Sequence, residues 1–233
     1  MASIKTFDVI DENNDFIVIN KYPNVDFHCS DDGIGIVAQV SQALNGLHLF
    51  PVHRLDKMTS GLLIMAKSSK VASAFGELFE QRLIEKYYIA LSDKKPKKKQ
   101  GLIKGDMKKG RNGSYLLLKT NKNPAITQFF SYSIEPSVRL FLLKPHTGKT
   151  HQLRVAMKSI GSPIIGDSRY YSDSKNTESN RQEATGKLHA WKLSFTLYGQ
   201  QFSFEAKPRW SNVLIDDWLL ANNNPETLSW PSL

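Results

Sequence analysis

The chain of 233 residues has one cysteine, Cys29, so it can form no internal disulfide, and the lack of further thiols argues against a thiolate metal cage. No apolar run approaches the roughly 18 residues that a spanning helix needs. The first residues, MASIKTFDVIDENND, lack the apolar stretch of a secretory signal. Acidic side chains are the scarcer charge, 22 against 31 Lys and Arg, leaving +9 at pH 7. Such a balance points to a polyanionic partner, nucleic acid before acidic lipid, and a reducing cytoplasm suits the single thiol. Repeats and convincing linkers are also missing. One domain over residues 1–233 is therefore expected.

What is present reads as alternating strands and helices. Residues 7–20 form two β-rich runs around a polar turn, a hairpin. Ser30 and Asp31 can cap a helix over about 34–44, with Ile36, Val37, Val40 and Leu44 at helical spacing. GLLIMA (61–66) is short, continuous and apolar, as in a strand covered on both faces. A helix follows from Ser69, with Val71, Phe75, Leu78, Phe79 and Leu83 as its buried stripe, and then the strand KYYIAL (86–91). Residues 94–111 are the most basic part of the chain and read as a loop. SYLLLKT, AITQFFSYS and VRLFLLKP are β-like, and THQLRVAMKS (150–159) is helical. The polar stretch 171–187 reads as an exposed loop. LHAWKLSFTLYG with QFSFEAK predicts a hairpin around Gly199, and SNVLIDDWLL a last helix. Strands outnumber helices and many adjacent strand pairs lack a crossover helix. The expected class is α+β, a mixed and largely antiparallel central sheet flanked by helices.

The segment HRLDKMTSGLLIMAKS (53–68) sets Arg54 two residues before Asp56 and follows them with a Thr-Ser-Gly turn into the apolar strand. Asp56 has two readings. One is an aspartate that caps the turn through backbone N–H groups. The other is a nucleophile, which must be ionised, held in one rotamer and shielded from bulk water. A neighbouring guanidinium favours the ionised form, a tight turn supplies rigidity, and Gly61 lets a ligand or another backbone come close.

This segment resembles the signature of pseudouridine synthases of the RluA-like branch. Further blocks follow in the family's order: VINKYPNVDFH, KYYIAL, TGKTHQLRVAMKSIGSPIIGDSRY and LHAWKLSF, spanning about residues 16–197. The resemblance implies the pseudouridine synthase fold with a catalytic cleft across the sheet, and isomerisation of uridine in ribosomal or transfer RNA. The N1–C1′ bond breaks, the uracil turns, and C5 bonds to C1′, with no cofactor and no metal. It implies that Asp56 is the catalytic aspartate, working either as a nucleophile or through a glycal. By the same resemblance Tyr88 is expected to stack on the target base and Arg154 to pair with the aspartate. The resemblance also implies that Arg54 helps hold the uridine out of the stack. His53, Thr59, Lys86 and Gln152 complete the substrate-binding set, His53 also shaping the loop with Leu55. His151 and His189 are expected to be hydrogen-bonded structural residues.

The chain departs from the pattern at Ala156, where many relatives carry histidine, and at Lys21-Tyr22-Pro23, which has one extra residue. An S4 RNA-binding domain is not expected before residue 16. RNA is the expected partner, with lysines 94–111 on phosphate, and a monomer is expected. A glycoside hydrolase would need a second carboxylate, for which Asp167 is the motif-borne candidate, read here as a turn residue. A non-catalytic RNA-binding protein on the same scaffold is the other alternative.

Overall fold

The computed structural model describes residues 5–29, 33–171 and 185–233. Among them the first six strands are β1 (Phe7–Glu12), β2 (Phe16–Lys21), β3 (Phe50–Pro51), β4 (Ser60–Ala66), β5 (Glu85–Ser92) and β6 (Gln100–Gly105). Six more follow: β7 (Met107–Lys109), β8 (Tyr115–Leu117), β9 (Ala125–Glu135), β10 (Val138–Pro145), β11 (Leu188–Leu197) and β12 (Gln200–Glu205). The helices are α1 (Ile36–Ala43), α2 (Ser69–Glu80), α3 (Gln152–Ser159) and α4 (Val213–Ala221). The expected α+β class with a mixed, mainly antiparallel sheet is what the chain adopts. It folds as two compact units, Met1–Lys86 with His189–Arg209, and Tyr87–Leu188 with Trp210–Leu233.

In the first unit, β2 lies between β1 and β4, antiparallel to each. All six residues of β2 and all seven of β4 are buried, which is why their sequences show continuous apolar runs instead of alternation. Strand β4 also pairs with β11, in parallel, at His189↔Ser60 and Ala190↔Gly61, and β12 folds back on β11. Phe16, Phe75, Phe195, Phe202 and Phe204 interlock with ring centroids 5.1–6.2 Å apart, mostly edge to face. That cluster pins α2, capped at Ser68 by a bond from the Val71 amide, onto the sheet.

In the second unit, β5, β10, β9 and β6 form an antiparallel series in that order. Leu140, Phe141, Leu142 and Leu143 of β10 are fully enclosed. The carboxy-terminal segment covers part of this sheet. Trp218 of α4 packs on Tyr132 at 5.0 Å, and Trp230 on Phe130 at 4.9 Å and Tyr87 at 5.9 Å. Asn212 caps α4 by accepting the Ile215 amide.

Several expectations need correction. Helix α1 begins at Ile36 after an extended Gly35; the expected caps Ser30 and Asp31 lie outside the described residues, as do 172–184 of the expected polar loop. Helix α2 ends at Glu80, and Leu83 beyond it is exposed instead of part of the buried stripe. The basic segment is not simply a loop: it contains β6 and β7. Ile103 is buried while Lys104 beside it is exposed, the alternation of a strand at the margin of a sheet. Lysine on such a strand discourages edge-to-edge association, and the lysine density conceals the pattern in the sequence. Helix α3 starts at Gln152, because His151 is left-handed with φ 57°.

Gly61 is a position where glycine is obligatory, with φ +113° and a Cβ that would run into the backbone of Ala190. The close backbone expected there is β11. Gly61→Ala should lower the unfolding free energy by at least about 2 kcal/mol in urea denaturation, since neither backbone can retreat from a paired strand.

Candidate active site

In the first unit, the segment 52–59 connects β3 to β4 and carries Asp56. It is anchored at three points. Leu55 is buried. The Thr59 amide donates to the Asp56 carbonyl at 3.0 Å, closing a tight turn. The His53 ring accepts the Ile64 amide through Nε2 at 3.0 Å and lies 5.2 Å from Phe79. That bond requires a neutral imidazole, and burial together with the Lys86 ammonium pushes His53 down to about 3. His53 therefore shapes the loop. Thr59 is buried beside it, and Asp56 itself is half-buried.

One cation near Asp56 within this unit is a lysine to which the motifs gave no role. Lys21 ends β2 with 0% exposure. Its Nζ donates to the carbonyls of Tyr22 at 2.9 Å, Val25 at 3.0 Å and Lys57 at 3.2 Å. Three carbonyls take the three protons of an ammonium, and one of them belongs to the residue after Asp56. Burial pulls Lys21 down to about 7, against the opposing pull of Asp26 and Asp56. The Lys21 ammonium thus bolts the Asp56 loop to the sheet and places positive charge near the carboxylate. A lysine closing the otherwise apolar strand FIVIN was the available sequence signal. Arg54, by contrast, is exposed, its guanidinium 5.9 Å from the Phe27 ring. Lys86 sits over Phe79 at 5.3 Å, its pKa lowered by burial. Buried His189 accepts from or donates to Ser60 at 2.8 Å and meets the Ala206 carbonyl at 2.7 Å, the structural role expected of it.

In the second unit, Tyr87 and Tyr88 point to opposite faces of β5, as successive strand residues must. Tyr87 is buried, its hydroxyl accepting from Lys144 Nζ at 3.1 Å. Tyr88 is half-buried and pairs in register with Leu143. Arg154 is 7% exposed, not a solvent-facing helix residue. Its Nε and Nη2 donate to Asp167 Oδ2 and Oδ1, each at 2.8 Å. Asp167 is the turn residue expected, accepting the amides of Arg169 and Tyr170, but it is also this counterion. Gln152 is buried in a holding role: its amide bonds Ile126 and Thr127, and its oxygen accepts from Thr147 and Lys149. Among the described residues no group of three or more His, Cys, Asp or Glu is placed to hold a metal ion.

Lys21 yields a linkage test. Its folded pKa lies below the unfolded 10.5, so between about 7 and 10.5 the unfolded chain binds more protons and stability rises with pH. The unfolding free energy of the wild type relative to Lys21→Met should therefore climb as pH is raised from 7 to 10. A pH-independent difference would contradict the burial of a titrating amine.

A family model described as RNA pseudouridylate synthase matches residues 15–159. A Haemophilus influenzae protein named as an uncharacterized RNA pseudouridine synthase is 50% identical over 201 residues, 86% of this chain and 87% of that protein. The ribosomal large subunit pseudouridine synthase C of Rickettsia bellii is 34% identical over 215 residues, 88% of this chain and 69% of that protein. The solved human RNA pseudouridylate synthase domain containing 1 shares the fold, with a TM-score of 0.76 and 22% identity over 96% of this chain and 97% of that one. A family match across more than half the chain, joined to a relative sharing half of the aligned residues, establishes that this protein belongs to the RNA pseudouridylate synthases, isomerases that act on RNA.

Proposed function

We propose that this protein converts specific uridines in ribosomal or transfer RNA to pseudouridine, with Asp56 as the reacting carboxylate. The observation that carries the reading is the bracing of Asp56, which heads a closed turn and sits beside a carbonyl gripped by buried Lys21. A backbone held this way fixes the root of the carboxylate, so less entropy is lost on reaching the reactive geometry. In the reaction the N1–C1′ bond breaks and C5–C1′ forms, so composition and oxidation state are unchanged and no cofactor or metal enters. Tyr88 and Arg154 serve the same reaction, and exposed Arg54 helps hold the everted nucleotide. The Rickettsia relative, named for the large ribosomal subunit, favours ribosomal RNA as the substrate. We read the chain as one catalytic domain acting as a cytoplasmic monomer.

Two experiments test this. Pseudouridine mapping of total RNA from cells lacking the protein should reveal lost sites that wild type restores and Asp56→Asn does not; restoration by Asp56→Asn would remove the carboxylate from the chemistry. The exposed lysines 94, 95, 97, 98, 99, 104, 108 and 109 give the second. Changing them to glutamine should weaken RNA binding and flatten its dependence on salt, by roughly 0.7–0.9 in log–log slope for each phosphate no longer neutralised. Unaltered binding would free those lysines of any role.

A further inference from the structure

In the second unit, β7 and β8 pair only with each other, over three residue positions. A ladder that short is marginal by itself, so its position depends on what ties it down. Its base is held by backbone bonds of Asp106 with Leu118 and Thr120, and its far end is tied to the turn that holds Arg154. The Tyr115 amide of β8 donates to the Tyr170 hydroxyl at 2.8 Å, and Arg169 donates to the carbonyl of Asn112 at the hairpin tip. At that tip Gly113 has φ +69°, and a Cβ there would lie 3.0 Å from the Arg169 guanidinium. The Tyr170 hydroxyl also bonds His151 Nδ1 at 2.9 Å, at the start of α3. Tyr170 is 3% exposed, and its ring faces the Arg154 guanidinium at 5.0 Å. Two residues before Arg169, Asp167 takes the bidentate bond from that same arginine. One four-residue turn, 167–170, therefore grips the arginine from one side and the hairpin from the other. The hairpin in turn carries exposed Lys108, Lys109 and Arg111.

We propose that Tyr170 is a positioning residue that couples the basic hairpin 107–117 to Arg154, so that RNA phosphate held by the hairpin steadies the arginine. The inference rests on the isomerase reading above and assigns a specific route by which RNA docking tightens its site. Removing the hydroxyl cuts the bond from Tyr115 and the bond with His151 while leaving the ring under Arg154. The arginine keeps its counterion and answers to the hairpin only through the remaining Arg169 tie.

The test is a double-mutant cycle in steady-state kinetics, on ribosomal and transfer RNA purified from cells lacking the protein. In the wild-type background, Lys108→Gln with Lys109→Gln should raise KM and also lower kcat about three- to tenfold, the scale of one hydrogen bond. In the Tyr170→Phe background the same pair should raise KM with a clearly smaller loss of kcat. Gly113→Ala, which alters no charge, should reproduce the loss of kcat coupling by displacing Arg169. Equal kcat losses in both backgrounds overturn the proposal. An activity-free readout accompanies the kinetics: solvent exchange of the Arg154 Nε–H, followed by nitrogen-15 NMR and assigned with Arg154→Lys, should quicken several-fold in Tyr170→Phe and in Gly113→Ala. Unchanged exchange in both overturns the coupling. Full activity of Asp56→Asn would sink the catalytic reading instead, and the exchange measurement would still decide the role of Tyr170.

Discussion

Arg154 is almost wholly removed from water, and only a counterion of matching shape makes that tolerable. Asp167 meets the guanidinium with both oxygens, while two backbone amides satisfy one of those oxygens in turn. Taking such ions out of water costs several kcal/mol each, and a buried pair broken on one side costs roughly 3–5 kcal/mol. The fold consequently cannot place α3 without also placing the turn 167–170. The hairpin tethers, the Tyr170 ring and the His151 bond all inherit their positions from that requirement.

The first unit handles its buried cation differently. Lys21 is enclosed by backbone carbonyls, with carboxylates acting from farther off. Carbonyl dipoles cannot move away independently of the chain, so this arrangement stiffens the segment that supplies them. The beneficiary is the loop of Asp56. Lysine suits the position because its compact ammonium has three donors and fits among three acceptors, where the planar fork of arginine would not. His53 adds a second brace from the opposite chemistry, a neutral ring kept uncharged so that it can accept an amide.

Much of this was legible from residue order. Strands β4 and β5, helix α2 and the final hairpin follow from apolar run lengths and turn residues, and the motif blocks supply Asp56, Tyr88 and Arg154 as the residues of the proposed reaction. The alternation of Tyr87 and Tyr88 needed only the two-residue strand period. Other features were hidden for identifiable reasons. Strand β6 was masked by the lysines on either side of it, and its own Lys104 is tolerated because the strand lies at a margin. Leu83 belonged to the helical period but fell beyond the helix end. His151 looks like an ordinary first-turn residue, yet its left-handed backbone delays α3 to Gln152.

Local pattern alone thus determined which segments are buried strands, which residue types could react, and which family the chain joins, because hydrophobic period and motif order are properties of neighbours along the chain. Partners were another matter. That Lys21 would support the loop from β2, that Asp167 would clasp Arg154, and that Gly61 would yield its side-chain space to Ala190 depended on distant segments brought within hydrogen-bond or van der Waals reach. Those pairings arise from the desolvation of charge and the close approach of backbones, forces that act only once the chain has folded around them.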